Sequence, residues 1–194
     1  HAISNYSFGW SHGKEKFQGK LDVAKGSFYA NPQYDVPTTD ESLIEKYPFY
    51  CCANIWPTEH ISALEKAFKE MGQLIVQIGL LVSKQCDKYI KKQLSTYEEN
   101  KLHKHISDSR IAKGRLLYYF PIQSKNEIEE ASESCEDNWC GWHLDHGSLT
   151  GLLSAMYIDQ QGNQIEMTDP NAGLFIRNRR GDLVKVGYKA NQLA

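Results

Sequence analysis

The sequence lacks an apolar run long enough to cross a bilayer. Its longest, near Leu74 to Val82, is interrupted by Gln77 and falls far short of the ~20 residues a membrane helix needs. The first residues, His1-Ala2-Ile3-Ser4, carry no basic segment followed by an apolar one, so no secretory signal is read there. Glycine-rich phosphate loops of the Gly-x-Gly-x-x-Gly and Gly-x-x-x-x-Gly-Lys-Ser/Thr kinds are absent, which removes the common nucleotide-binding signatures. An excess of positive charge is absent too: 22 Lys and Arg stand against 24 Asp and Glu, a formal net charge of -2. Nothing in that balance points to nucleic acid or to an anionic membrane. The 5 cysteines are an odd number in a chain too large to need disulfide staples, which favours reduced thiols and a cytoplasmic setting. The partner class left open is small molecules.

What is there suffices for a packed core. A chain of 194 residues, 41% hydrophobic and 24% charged, reads as one domain over 1–194. Residues 1–57 are rich in Gly, Tyr, Pro and Asn and show little periodicity, the pattern of turns and short extended pieces around aromatic anchors. Residues 58–112 are helical. The apolar positions Ile61, Leu64, Phe68, Met71, Ile75, Ile78, Val82 and Cys86 step by three or four and predict one long helix to about Leu94, with a shorter helix over Glu98 to Arg110. Residues 113–194 turn to strands: Arg115–Phe120, Leu149–Ile158, Leu174–Ile176 and Leu183–Val186. Asp169-Pro170-Asn171-Ala172-Gly173 and Arg180-Gly181-Asp182 supply the turn chemistry between them. The stretch 124–137, with six acidic residues and one lysine, reads as an exposed loop.

The chemistry concentrates in Trp139-Cys-Gly-Trp-His143-Leu-Asp145-His-Gly147-Ser-Leu149-Thr-Gly-Leu-Leu153. In an extended segment residues two apart project to one side, so His143 and Asp145 can offer an imidazole nitrogen and a carboxylate oxygen to one ion. Two His and one carboxylate on one face of an octahedron leave open positions for a bidentate co-substrate and O₂, and His-x-Asp is two-thirds of that set. Alone, such a triplet is weak, and a hydrogen-bonded structural histidine is its bland alternative.

Here it does not stand alone. Gly147 and Leu149-Thr-Gly-Leu complete a His-x-Asp-x-Gly-x-Leu-Thr-x-Leu pattern, and Gly114-Arg-Leu-Leu-Tyr-Tyr119-Phe-Pro121 lies upstream of it. With Gly173-Leu-Phe-Ile-Arg-Asn-Arg-Arg-Gly181-Asp-Leu-Val-Lys-Val downstream and Gly9-Trp-Ser-His12-Gly-Lys and Lys25-Gly-Ser-Phe-Tyr-Ala-Asn-Pro32 near the start, nearly the whole chain resembles the 2-oxoglutarate/Fe(II)-dependent oxygenase superfamily, isopenicillin N synthase-like. The resemblance implies a mainly β fold with α, a double-stranded β-helix or jelly roll with a long supporting N-terminal helix. It implies an oxygenase that hydroxylates, desaturates or cyclises a small organic molecule with O₂, using Fe(II) as cofactor and 2-oxoglutarate as co-substrate. His143 and Asp145 would be metal ligands side by side on one strand, and Tyr119 would bind the co-substrate carboxylate; a core aromatic is the equal reading for Tyr119. The family's distal His and Arg-x-Ser would follow several tens of residues later, and no histidine occurs after His146. The chain therefore reads as truncated before its distal His ligand and its C-terminal strands, unable to oxygenate by itself and prone to self-association through open sheet edges.

The same residues admit other readings. Cys135, Cys140, His143 and His146 suggest a zinc knuckle, but the spacing is wrong and no second Cys-x-x-Cys supports it, so Cys135 and Cys140 are expected as free thiols. Arg177, Arg179 and Arg180 read as a solvated strand tip. Trp10, His12, Phe28 and Tyr29 either line a substrate mouth or anchor a core, the second being commoner. The alternative from another class is a catalytically silent jelly-roll fragment that acts as a binding or interaction module.

Overall fold

The computed structural model describes residues 2–14, 16–17, 20–21, 23–121, 142–167, 172–187, 189 and 191–194. The acidic stretch 124–137, with Cys135 and Cys140, lies outside the described residues. The chain forms two compact units, 1–146 and 147–194.

The first unit runs β1 (Gly9–His12), β2 (Lys16–Phe17), β3 (Lys20–Leu21), β4 (Lys25–Ala30), α1 (Glu41–Lys46), α2 (Pro48–Cys51), α3 (Leu64–Gln93), α4 (Lys101–Ser107) and β5 (Gly114–Tyr119). β2 and β3 pair with each other, and β1, β4 and β5 form a three-stranded antiparallel sheet in that order. Phe28 at its centre stands opposite Trp10 on one side and Leu116 on the other. Because side chains alternate, Trp10, His12, Gly26, Phe28, Leu116 and Tyr118 share one face; Ser11, Lys25, Ser27, Tyr29, Arg115 and Tyr119 share the other.

The first face meets α3. Phe28 is 5% exposed, and its ring lies 5.8 Å from that of Phe68, edge to face, and 5.7 Å from that of Trp56. Two glycines let backbone come close. A Cβ on Gly72 of α3 would fall 2.3 Å from Pro32 Cβ, and one on Gly114 would fall 2.6 Å from the Phe68 ring. The helical stripe thus places α3 close to where periodicity predicts it, although the helix begins at Leu64 and Ile61 lies in the turn before it. Its two buried residues are polar, Ser83 and Asp87, while Met71, Leu74, Leu81 and Val82 are exposed. None of the helices described is long and apolar enough to cross a membrane.

Asp87 explains where α4 starts. Asn100 sits at that helix's N-terminus in the left-handed region, φ 57°, and its side chain makes no capping bond. The Asp87 carboxylate of α3 takes over, accepting from Leu102 N–H at 3.0 Å and His103 N–H at 2.9 Å, and from the Tyr97 hydroxyl at 2.6 Å. A helix predicted from Glu98 therefore begins only at Lys101.

A second polar hub is Asn31, 1% exposed, just past β4. Its Nδ2 donates to Arg110 O at 2.7 Å, and its Oδ1 accepts from Gln33 N–H at 2.9 Å and Tyr34 N–H at 3.0 Å. Its backbone N–H donates to Asn54 Oδ1 at 2.7 Å while Asn54 Nδ2 donates back to Asn31 O at 2.8 Å. The turn 31–35, the segment around Asn54 and the approach to β5 are thereby held to one another.

The region 1–57, read from sequence as turns and short extended pieces, also contains two helices. α1 has a local cause: Asp40 accepts from Ser42 N–H and Leu43 N–H and caps it.

In the second unit β6 (Tyr157–Ile158) pairs with β7 (Gln164–Ile165), and β8 (Phe175–Arg177) with β9 (Leu183–Lys185). Asp159 Oδ1 closes the first hairpin by accepting from Gln161 and Asn163 N–H, and Asn178 Oδ1 closes the second by accepting from Arg180 and Asp182 N–H. The expected strand Leu149–Ile158 is corrected to Tyr157–Ile158 plus a bridge from Leu153 to Leu193, because 149–156 finds no continuous ladder among the described residues. No described residue of this unit is buried. Among the described residues the sheets are small and antiparallel, and none forms a jelly roll.

Replacing Asn31 by Ala should lower the unfolding free energy by about 2 kcal/mol, since it leaves three part-buried backbone groups, Gln33 N–H, Tyr34 N–H and Arg110 O, without this partner at once. Denaturant titration of the two proteins checks this; Asn31→Asp, which keeps one acceptor oxygen but turns a second, charged one onto Arg110 O in a buried position, should lose at least as much.

Candidate metal centre

The two candidate ligands come together. His143 Nε2 lies 3.3 Å from Asp145 Oδ1, with the side chains 57% and 51% exposed, while Leu144 between them is 91% exposed and points elsewhere. The alternation expected of an extended segment thus holds. The strand does not: 142–150 is irregular, with bends at 146–148, and it joins no sheet among the described residues, so the expected placement of the two side chains on one strand is corrected to an exposed loop. Gly147 lies inside those bends, where pairing would have to continue. Tyr119 ends β5, opposite Lys25 of β4, and is 40% exposed.

The separation is that of a direct contact between the two side chains. Donors about 2.1 Å from a metal and at right angles to each other lie about 3 Å apart, close to the observed separation. Among the described residues no group of three or more His, Cys, Asp or Glu could hold a metal. A side-chain contact this exposed adds little to stability.

The aromatic residues near the start divide between roles. Phe28 belongs to the core. Trp10 is 49% exposed and lies over Gly26, where a Cβ would fall 2.1 Å from its ring. The His12 ring stacks 4.6 Å from that of Phe120, and its Nε2 lies 2.9 Å from Val23 O. Of the cysteines, Cys51, Cys52 and Cys86 are free thiols.

Two polar clusters have no local signature in the sequence. Ser83, His103 and Asp87 look like a nucleophile, base and acid, and Ser83 Oγ does lie 3.3 Å from His103 Nδ1. Both of those atoms also approach Leu80 O, the buried Ser83 hydroxyl donating to it at 2.8 Å and His103 Nδ1 lying 3.2 Å from it, and Asp87 engages the backbone N–H of His103 rather than its ring, so no acid orients the imidazole. Burial pushes the Asp87 carboxyl up, and the hydrogen bonds from Tyr97, His103 and Leu102 more than reverse it, so its pKa ends below the ordinary value. These residues join α3 to α4.

The other cluster is Lys113. Its ammonium donates to Ser7 O and Phe49 O and lies 4.1 Å from the centre of the Phe8 ring, with Tyr29 and Tyr50 beyond. Burial pushes it down from the ordinary 10.5 to about 8, against an opposing pull from Cys52.

No protein family matches the chain, and no solved structure matches it. The chain is similar to the DNA-directed RNA polymerase III subunit RPC1 of Homo sapiens, 23% identical over 129 residues, which is 66% of this chain and 7% of that subunit. It spans only that small part of the relative's length, and the likeness assigns no family.

The sign of the Lys113 shift gives a test. Between about 8 and 10.5 the unfolded chain holds the proton and the folded chain does not, so folding stability rises with pH across that window. Thermal melts of the native protein should gain in Tm from pH 8 to pH 10 (roughly that window) relative to Lys113→Met, which lacks the titrating group.

Proposed function

We propose that the chain is an oxygenase-like protein of the non-haem Fe(II), 2-oxoglutarate-dependent kind, isopenicillin N synthase-like, built on a jelly roll and acting in the cytoplasm on a small organic molecule. The observation that carries this is the approach of His143 Nε2 and Asp145 Oδ1 to 3.3 Å within the His-x-Asp-x-Gly-x-Leu-Thr-x-Leu pattern. His143 would give a neutral imidazole nitrogen, and Asp145 a carboxylate that also offsets one charge of the ion. The third protein ligand would come from outside the described residues. Bound Fe(II) would couple O₂ activation to oxidative decarboxylation of 2-oxoglutarate. The Tyr119 hydroxyl would donate a hydrogen bond to the carboxylate of that co-substrate, holding it in one orientation. Hydroxylation, desaturation or cyclisation of the substrate would follow from how the site positions it.

A second reading is a catalytically silent binding module. It is favoured by the two-donor limit among the described residues and by exposed apolar side chains on β5 and α3, among them Leu116, Leu74 and Leu81. Such surface commonly marks association, including self-association. The likeness to a polymerase subunit agrees with a module that works by binding within an assembly.

Titrating the chain with Co(II) and with Fe(II), by absorption and calorimetry, separates the readings. His143→Ala and Asp145→Ala should each weaken binding by about tenfold or more, and His146→Ala by less than about twofold. Release of CO₂ from 2-oxoglutarate with Fe(II) and ascorbate, wherever detected, should vanish in Asp145→Ala. Metal binding that none of the three substitutions changes would leave the binding module as the account.

A further inference from the structure

The first unit holds an open cleft of about 1150 Å³, a little above the roughly 300–1,000 Å³ usual for small-molecule sites. Its apolar lining includes Val36, Pro37, Leu43, Leu102 and Ile111. None of His143, Asp145 and Tyr119 lines it, so a ligand site in this cleft stands or falls independently of the oxygenase reading.

Arg110 borders this cleft in a fixed pose. Its Nε donates to Pro37 O at 2.8 Å, and its guanidinium carbon stands 4.1 Å from the centre of the Tyr34 ring. Its backbone is held as well, since Arg110 O accepts from the buried Asn31 amide. These contacts hold the guanidinium plane while leaving Nη1 and Nη2 with no protein acceptor among the described residues. Lys101 and Lys104 border the same cleft, and neither is ion-paired among the described residues. Glu98 and Asp108 also border it, the latter accepting from Ser107 Oγ at 3.2 Å, so the permanent cations outnumber the carboxylates.

We propose that this cleft binds a small amphipathic carboxylate, an aryl- or alkyl-carboxylic acid whose apolar body lies between Pro37 and Leu102 and whose carboxylate is clamped by the two terminal amino groups of Arg110. A planar guanidinium that is already oriented loses little freedom on binding, and its two parallel donors match a carboxylate edge. An apolar wall beside a few converging polar groups is the ordinary build of such a site. Lys101 and Lys104 add attraction at the mouth and select against cations.

The test compares 4-phenylbutyrate with its uncharged amide on the full chain, by calorimetry and by amide chemical shifts. The acid should bind about tenfold tighter than the amide, the usual advantage of a charge-assisted pair. Shifts should centre on Val36, Leu102 and Ile111. Arg110→Gln should bring the two compounds within about twofold of each other. Because that change also disturbs the contact with Pro37 O, a Lys101→Gln/Lys104→Gln variant, altered only at the exposed rim, should weaken the acid and leave the amide unchanged. Arg179→Gln, on the tip between β8 and β9, should change nothing. Equal binding of acid and amide by the native protein, no binding of the acid, shifts centred elsewhere, or an Arg179→Gln effect as large as that of Arg110→Gln would each overturn the proposal.

Discussion

The buried amide of Asn31 is the constraint on which the first unit depends. A side chain with two donors and one acceptor cannot be dehydrated unless nearly all of its capacity is used. Here the acceptor oxygen sets the turn after β4 by holding Gln33 and Tyr34, and one donor reaches 79 residues along the chain to Arg110 O. The exchange with Asn54 adds a third stretch, which Asp35 ties in again through Asn54 Nδ2 at 2.9 Å and Trp56 Nε1 at 2.8 Å. Trp56 in turn leaves its ring against Phe28 and Phe68. The position of α3 over the sheet and that of Pro37 beside Arg110 are therefore consequences of one satisfied amide and its immediate partners.

Polar burial dominates more widely. Among the described residues eight polar or charged side chains are buried beside four hydrophobic ones, and no buried side-chain nitrogen or oxygen lacks a partner. A core of this kind is sensitive to hydrogen-bond geometry more than to volume, because an orphaned buried group keeps its dehydration penalty while a lost methyl leaves only a gap. Lys69 shows the same logic near the surface, where it bridges Asp35 at 2.5 Å and Glu65 at 2.6 Å. Burial raises the Asp35 carboxyl, and the bonds from Lys69, Asn54 and Trp56 outweigh it, leaving the pKa at about 2 instead of 3.8. The stability this lends is present above the ordinary value and fades as pH falls toward about 2.

What the sequence makes legible follows the range of the forces involved. The stripe from Leu64 to Cys86 announces α3 because helical periodicity is local, and the apolar runs at β5, β8 and β9 announce strands for the same reason. His143 and Asp145 are legible as a pair because a spacing of two is enough to bring them together, with or without a strand around them. The strand itself is not legible, since a ladder needs a partner that local pattern does not supply. Nor are the links from Asp87 to Tyr97, Asn31 to Arg110 and Lys113 to Ser7, which span 10, 79 and 106 residues and carry no shared motif. α1 is the exception, a short helix with its cap written in Asp40 and Ser42, hidden in a region whose Gly and Pro content suggests only turns.

Two cations in the first unit show why contacts, and not charge, decide role. Lys113 is largely occupied: two carbonyl oxygens accept from its ammonium, and the rings of Phe8, Tyr29 and Tyr50 lie around it. Its lowered pKa is the sign of that burial, and its work is to hold the start of the chain to α2 and the entry to β5. Arg110 is held just as firmly, through Pro37 O and the Tyr34 ring, but a guanidinium has five donors and these contacts use one edge and one face. The opposite edge stays directed and uncommitted beside an apolar wall. A lysine in that place would spend its charge on the carbonyl; the fork of arginine lets one side chain be both structural and available to a ligand.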